Sequence, residues 1–239
     1  MKPLPKKLAI FDIDGTIFRS SLVIELSHEL VRRGIFPLGA RREIRKEYLA
    51  WLDRKGTYEA YIDKVVRIYI KHIRGRDYAA AKRAAAAVIA EQKDRTYRFT
   101  RNLIKKLKRQ KYFLVAISGS PSYIVESYAR AIGFNKFYGT ELEVKRGVFT
   151  GRVLSLESAY HKDRIIKALV RQYPSINLRQ SLAVGDTEGD AAMLKIVGRP
   201  LAFNPNLQLA KLAKKRGWPV VVERKDVMYN ITDINLFGV

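Results

Sequence analysis

The chain has 239 residues, no cysteine, 47% hydrophobic and 29% charged residues, and a formal net charge of +23. Disulfides and thiolate chemistry are thereby excluded, the apolar content is that of a folded chain, and no stretch approaches the ~18 apolar residues that a membrane-crossing helix needs. The positive charge points to anionic partners but is not gathered into a tail: residues 17–98 carry 19 Lys and Arg against 10 Asp and Glu.

Lys6 and Lys7 precede an apolar run of only four residues, too short for a secretory signal core, and a cytoplasmic setting is expected. That run, residues 8–11, reads as a buried strand of a parallel sheet. It delivers Asp12 and Asp14 at its carboxyl end, with Gly15 and Thr16 behind them. Ligands of open α/β sheets bind beyond such strand ends, and two nearby carboxylates repel each other unless a cation joins them. Four helical patterns follow: residues 21–33 closing at Gly34, 40–54 ending near Gly56, 57–73 stopping at Gly75, and the alanine-rich 77–95. With no strand among them, they predict an all-α block inserted after the first strand.

From residue 99 helix and strand alternate. A helix over 99–110 leads to a strand over 112–117 and the turn Ser118-Gly119-Ser120-Pro121. A helix over 122–132, a hairpin of 141–144 with 148–154, and a helix over 162–172 come next. A strand over 181–184 ends at Gly185-Asp186 and reaches Asp190, followed by a short helix, a strand over 200–203, a helix over 207–215 and a last strand over 219–222. This rhythm predicts an α/β fold with a mainly parallel sheet flanked by helices. The cations of residues 101–111 lie opposite Leu103, Ile104 and Leu107 and are expected to form a solvated helix face.

Three strand ends then carry polar residues suited to one site: Asp12 with Asp14, Ser118 with Gly119, and Asp186 with Asp190. Lys162 opens the helix before the third. So many carboxylates imply a hard dication, and Mg²⁺ suits carboxylate oxygens shared with phosphate. A hydroxyl, a glycine amide and a lysine bind phosphate.

These residues resemble the haloacid dehalogenase (HAD) superfamily, in the branch similar to phosphoserine phosphatases. Asp12-Ile13-Asp14-Gly15-Thr16 matches its DxDx[TV] motif, Val115-Ala116-Ile117-Ser118 its apolar strand ending in Ser or Thr, Lys162 its lone lysine, and Gly185-Asp186 through Asp190 its GDxxxD. The resemblance implies a Rossmann-like core from residues 1–16 and 99–239 and a small helical cap from 17–98. It implies a Mg²⁺-dependent phosphomonoester hydrolase in which Asp12 forms an aspartyl-phosphate. The Asp12 side chain, the Asp14 carbonyl and Asp186 would hold the metal, with Asp190 bracing its waters or Lys162. Asp14 would serve as acid and then base, and Asp14, Gly15, Ser118, Gly119 and Lys162 would bind phosphate.

Two positions depart from the pattern. Ser21 stands nine residues after the nucleophile, where phosphoserine phosphatases place a glutamate for the substrate amine; Glu25 lies one helical turn further on. Gly189 replaces the asparagine often found before the last aspartate. With cations at Arg41, Arg42, Arg45, Lys64 and Arg67 and aromatic rings at Tyr48, Trp51, Tyr58 and Tyr61 in the cap, the expected substrate is a small phosphomonoester more anionic or aromatic than phosphoserine; the alternative is a phosphoserine phosphatase proper, with Glu25 receiving the substrate amine. No nucleic-acid motif supports the alternative of a basic nucleic-acid- or anion-binding protein on a HAD scaffold. The oligomeric state is not indicated by the sequence.

Overall fold

β1 (Leu8–Phe11) is buried at all four positions, as an uninterrupted apolar run requires of a strand covered on both faces. In the computed structural model, which describes residues 6–231, it lies inside an eight-stranded sheet. The expected core segments also include residues 1–5 and 232–239, which lie outside the described residues. After β1 come α1 (Leu22–Arg32), α2 (Leu38–Leu52), α3 (Tyr58–Ile73) and α4 (Tyr78–Gln92). The remaining elements are α5 (Arg98–Arg109), β2 (Phe113–Pro121), α6 (Ser122–Ile132), β3 (Lys136–Lys145), β4 (Val148–Ser155), α7 (Glu157–Tyr160), α8 (Lys162–Gln172), β5 (Leu182–Gly185), α9 (Ala191–Ile196), β6 (Arg199–Phe203), α10 (Leu207–Arg216), β7 (Val220–Arg224) and β8 (Val227–Ile231).

The strand order is β4-β3-β2-β1-β5-β6-β7-β8, parallel from β3 to β7 and antiparallel at both edges. Chain order runs outward one way through β1, β2 and β3 and the other way through β5, β6 and β7. The switch between β1 and β5 opens a crevice at their carboxyl ends. Because strand side chains alternate, the sheet supports two apolar layers. Leu8, Ile10, Val115 and Ile117 face α8, α9 and α10, whereas Ala9, Phe11, Leu114 and Ala116 face α5 and α6.

Helices α1 to α4 join the second layer. Leu22, Leu26, Val65, Tyr69, Ala85 and Val88 are contiguous with Phe11 and with Tyr123 and Tyr128 of α6. The alanines of α4 allow a close approach to α6. Chain enters and leaves this block through neighbouring segments that bridge antiparallel at Phe18 and Thr96, with Tyr97 N donating to Ile17 O at 3.0 Å and Arg19 N to Arg95 O at 3.0 Å.

Several elements differ from expectation. β3 starts at Lys136, and its first half pairs parallel with β2 before its second half turns into the hairpin with β4. β8 and the short α7 were not signalled by any apolar periodicity. The cationic face of α5 is as expected, with Ile104 and Leu107 buried and the cations exposed.

Candidate active site

Asp12 and Asp14 follow the end of β1 and line one pocket, each with its own hydrogen-bond partners. Asp12 points into the crevice, where Lys162 Nζ donates to its Oδ1 at 2.6 Å. The same ammonium donates to Asp190 Oδ1 at 2.7 Å and to the Ile117 carbonyl at 3.2 Å, so its three protons are placed. All three charged side chains are buried. Asp190 Oδ2 accepts the Asp186 and Thr187 amides, each at 3.0 Å. Both Asp190 oxygens are thus occupied in holding Lys162 and the loop after β5.

Asp186 is positioned from β1. Thr16 Oγ1 donates to its Oδ1 at 2.8 Å, and its Oδ2 lies against Gly15. A Cβ at Gly15 would stand 2.2 Å from that oxygen, and the residue has φ +80°. Glycine is required here for both space and conformation. Ligand oxygens of Asp12, Asp186 and Asp190 lie within 4.8 Å of one another. Asp12 Oδ2 and Asp186 Oδ2 make no hydrogen bond among the described residues. Burial pushes the Asp12 carboxyl up to about 8 despite the neighbouring Lys162, and burial with the charges of Asp12 and Asp190 raises Asp186 well above the carboxylate range. Lys162 is driven down by burial but up by Asp12 and Asp190, which prevail. Four buried or half-buried carboxylates around one ammonium leave room for a dication that the protein itself does not supply. The donor set, all carboxylate and carbonyl oxygen, suits Mg²⁺.

Asp14 turns toward the helical block. Its Oδ1 accepts Leu22 N at 2.5 Å, and its Oδ2 accepts Ser118 Oγ at 2.5 Å and Ser120 Oγ at 2.9 Å. The N-cap residue of α1, Ser21, makes no side-chain cap bond; Asp14 takes over that function from outside the helix. Burial raises the Asp14 carboxyl against these bonds. Ser118 also accepts Ser120 N at 2.9 Å. Its hydroxyl is therefore committed to Asp14 in this structure. Gly119 lines the crevice, and its carbonyl accepts Thr140 Oγ1 at 2.7 Å.

All eight residues singled out in the sequence thus converge on the ends of β1, β2 and β5. The pocket above them, about 350 Å³, is lined from the helical block by Val23, Tyr58, Ile62 and Val66. Lys162 is the one cation among the described residues lining it, whereas Glu59, Asp63 and Glu188 stand along its wall. A second cavity of about 800 Å³ shares Ser21, Tyr58, Asp186 and Thr187 with the first. Arg19, Arg41, Arg45, Tyr48, Trp51 and Tyr61 line it. Arg42, Lys64 and Arg67 line neither. Glu25 faces this outer cavity, accepting Ser20 Oγ at 2.7 Å and pairing with Arg95 at 3.4 Å.

Sequence reasoning gave no role to Thr16, Ser120 or Asn206. Asn206 caps α10 through Leu209 N at 2.9 Å, donates its amide to the Asp186 carbonyl at 2.8 Å, and bonds Glu59 and Glu188 through Nδ2. The residue reads as an ordinary N-cap; its link between α3 and the loop after β5 exists only in three dimensions.

The family model described as haloacid dehalogenase-like hydrolase matches residues 9–195. The chain is similar to the inhibition of morphological differentiation protein of Streptomyces azureus, 27% identical over 221 residues that span 91% of this chain and 79% of that one. It is also similar to a phosphoserine phosphatase of Methanocaldococcus jannaschii, 25% identical over 222 residues that span 93% and 94% of the two chains. A solved structure of a protein with unknown function from Bordetella pertussis Tohama I shares the fold, with a TM-score of 0.74 at 20% identity over 90% of this chain and 98% of that one.

Proposed function

The chain belongs to the haloacid dehalogenase-like hydrolases and is a phosphatase, and from that premise we propose that it hydrolyses a phosphomonoester through an aspartyl-phosphate on Asp12. The observation that carries this reading is the buried Asp12–Lys162–Asp190 chain beside Asp186, which leaves Asp12 Oδ2 unbonded and facing the pocket. Asp12 Oδ2 attacks phosphorus and the bond to the substrate alkoxide breaks. The raised Asp14 carboxyl carries the proton for that alkoxide, then removes one from the water that attacks the phospho-enzyme, releasing phosphate and Asp12. Lys162 holds Asp12 in line, and Asp190 holds Lys162. An incoming phosphoryl group takes the Ser118 hydroxyl from Asp14 and accepts the amide of Gly119, which lines the same pocket. Asp12, Asp186 and the Asp14 carbonyl are the residues that would hold Mg²⁺, which when bound offsets the repulsion between carboxylate and phosphate.

Residues 17–98 serve as a cap, with Tyr58, Ile62 and Val66 excluding water from the pocket. The substrate extends past Ser21 and Tyr58 toward the arginines and rings of the outer cavity. Phosphoserine fits poorly: the acidic pocket wall accommodates its ammonium but repels its carboxylate, and Lys162 is already taken. Hydrolysis of p-nitrophenyl phosphate with and without Mg²⁺ tests the activity. Turnover that needs Mg²⁺ and disappears in Asp12→Asn supports it; turnover by Asp12→Asn comparable to wild type overturns it.

A further inference from the structure

Among the described residues, the outward side of α2 exposes more large apolar side chains than any other helix. With about 3.6 residues per turn, Leu38, Leu49 and Leu52 fall on one side of the helix, opposite Ala40 and Ile44, which are buried. These leucines are 70%, 41% and 52% exposed. Arg41, Arg42 and Arg45 are interleaved with them on the same side, exposed and in no ion pair among the described residues. The acidic residues of the helix, Glu43 and Glu47, turn away and pair with Lys71 and Lys64 of α3. The exposed leucine surface is what water leaves unsatisfied, and the arginines beside it fit a partner that is both apolar and anionic.

We propose that this face of α2 docks on an anionic membrane surface. Leucines interleaved with arginines on one exposed side offer apolar side chains to the headgroup region and cations to lipid phosphates, as an interfacial helix does. The net charge of +23 adds long-range attraction to such a surface. Nucleic acid would engage the arginines and leave the leucines in water. A symmetric contact with a second copy would set arginine against arginine. Arg41, Arg45 and Leu49 also line the outer cavity, so docking brings the mouth of that cavity to the bilayer. The proposal does not depend on the phosphatase chemistry, and its test reads binding alone.

The test is co-sedimentation of the full chain with vesicles of phosphatidylglycerol and phosphatidylcholine, compared with phosphatidylcholine alone. Wild type partitions onto the anionic vesicles. The triple variant Leu38→Ser, Leu49→Ser, Leu52→Ser keeps every charge and is expected to lower the partition coefficient about tenfold or more. Arg41→Ser with Arg42→Ser is expected to lower it about tenfold, while Lys105→Ser with Arg109→Ser, which removes the same charge from the exposed side of α5, changes it less than about twofold. Thermal unfolding confirms that each variant is folded. Absence of wild-type binding, a serine triple that partitions like wild type, or equal losses from the α2 and α5 pairs would overturn the proposal. A dimer that the serine triple dissociates, without vesicle binding, would assign the face to a second copy instead.

Discussion

Thr16 Oγ1 donates to Asp186 Oδ1 at 2.8 Å, joining residues 170 positions apart across the switch between β1 and β5. Thr16 is fully buried and touches no substrate space, so its effect on catalysis runs through the orientation of Asp186. Groups that orient a metal ligand typically change metal affinity or activity ~10–100-fold. Thr16→Val keeps the shape and removes the bond. The concentration of Mg²⁺ giving half-maximal rate is expected to rise by about tenfold or more, with most of kcat recovered at high Mg²⁺. An unchanged Mg²⁺ requirement would remove Thr16 from this role.

Asp14→Asn separates acid–base help from phosphoryl transfer. The asparagine carbonyl still accepts Leu22 N, so α1 keeps its cap. Alkyl phosphates, whose leaving oxygen needs a proton, are expected to lose ~10²–10⁴-fold in kcat. Formation of the phospho-enzyme from p-nitrophenyl phosphate, with its good leaving group, should fall much less. Equal losses for both leaving groups in single-turnover burst kinetics would contradict the assignment.

Substrate choice follows from where the cations lie. Arg19, Arg41 and Arg45 line the outer cavity, and Lys162 is already bound to Asp12 and Asp190. A panel of phosphomonoesters should therefore contain several with kcat/KM above that of phosphoserine, foremost those with a second anionic or aromatic group. Phosphoserine leading the panel by about tenfold, the discrimination that one well-matched contact supplies, would contradict this reading.

Stability carries a pH signature in α1. Burial pushes the Glu29 carboxyl up, but Arg32 at 2.6 Å and Arg33 at 2.5 Å outweigh it and hold it below its ordinary 4.5. A carboxylate with a depressed folded value stabilises the fold above its unfolded value and stops doing so as the pH falls through the lower one. Glu29→Gln should cost about 1 kcal/mol at pH 7, since both arginines are largely solvated, and distinctly less near pH 3. Urea unfolding at the two pH values measures the difference. An equal cost at both would assign the effect to packing.

The sheet and most of the site were legible because their signals are local. An apolar run ending in Asp12 and Asp14, another ending in Ser118, and a third ending in Gly185-Asp186 each identify a strand and its polar tip without knowledge of the others. What escaped depends on partners far along the chain. The first half of β3, Lys136 to Thr140, is only partly buried and lacks an apolar run, so nothing in it announces a parallel pairing with β2. In the edge strand Val227–Ile231 the first four residues are exposed and Ile231 alone packs partly against the core, so the segment carries no core-facing alternation. Ser118 reads as a phosphate ligand, yet its hydroxyl rests on Asp14, because both side chains are desolvated and each satisfies the other. Glu25 sits one turn from Ser21, but its bonds to Ser20 and Arg95 direct it to the outer cavity.

The most direct measurement concerns the covalent intermediate itself. Asp14→Asn should form the phospho-enzyme from p-nitrophenyl phosphate and hydrolyse it slowly, since the base that activates water is gone. Acid quenching during turnover, followed by peptide mass spectrometry, is expected to find a hydroxylamine-labile phosphoryl adduct on the peptide containing Asp12, and none in the Asp12→Asn, Asp14→Asn double variant. Continued release of phosphate by Asp14→Asn with no adduct at Asp12, or the same adduct in the double variant, would contradict the mechanism.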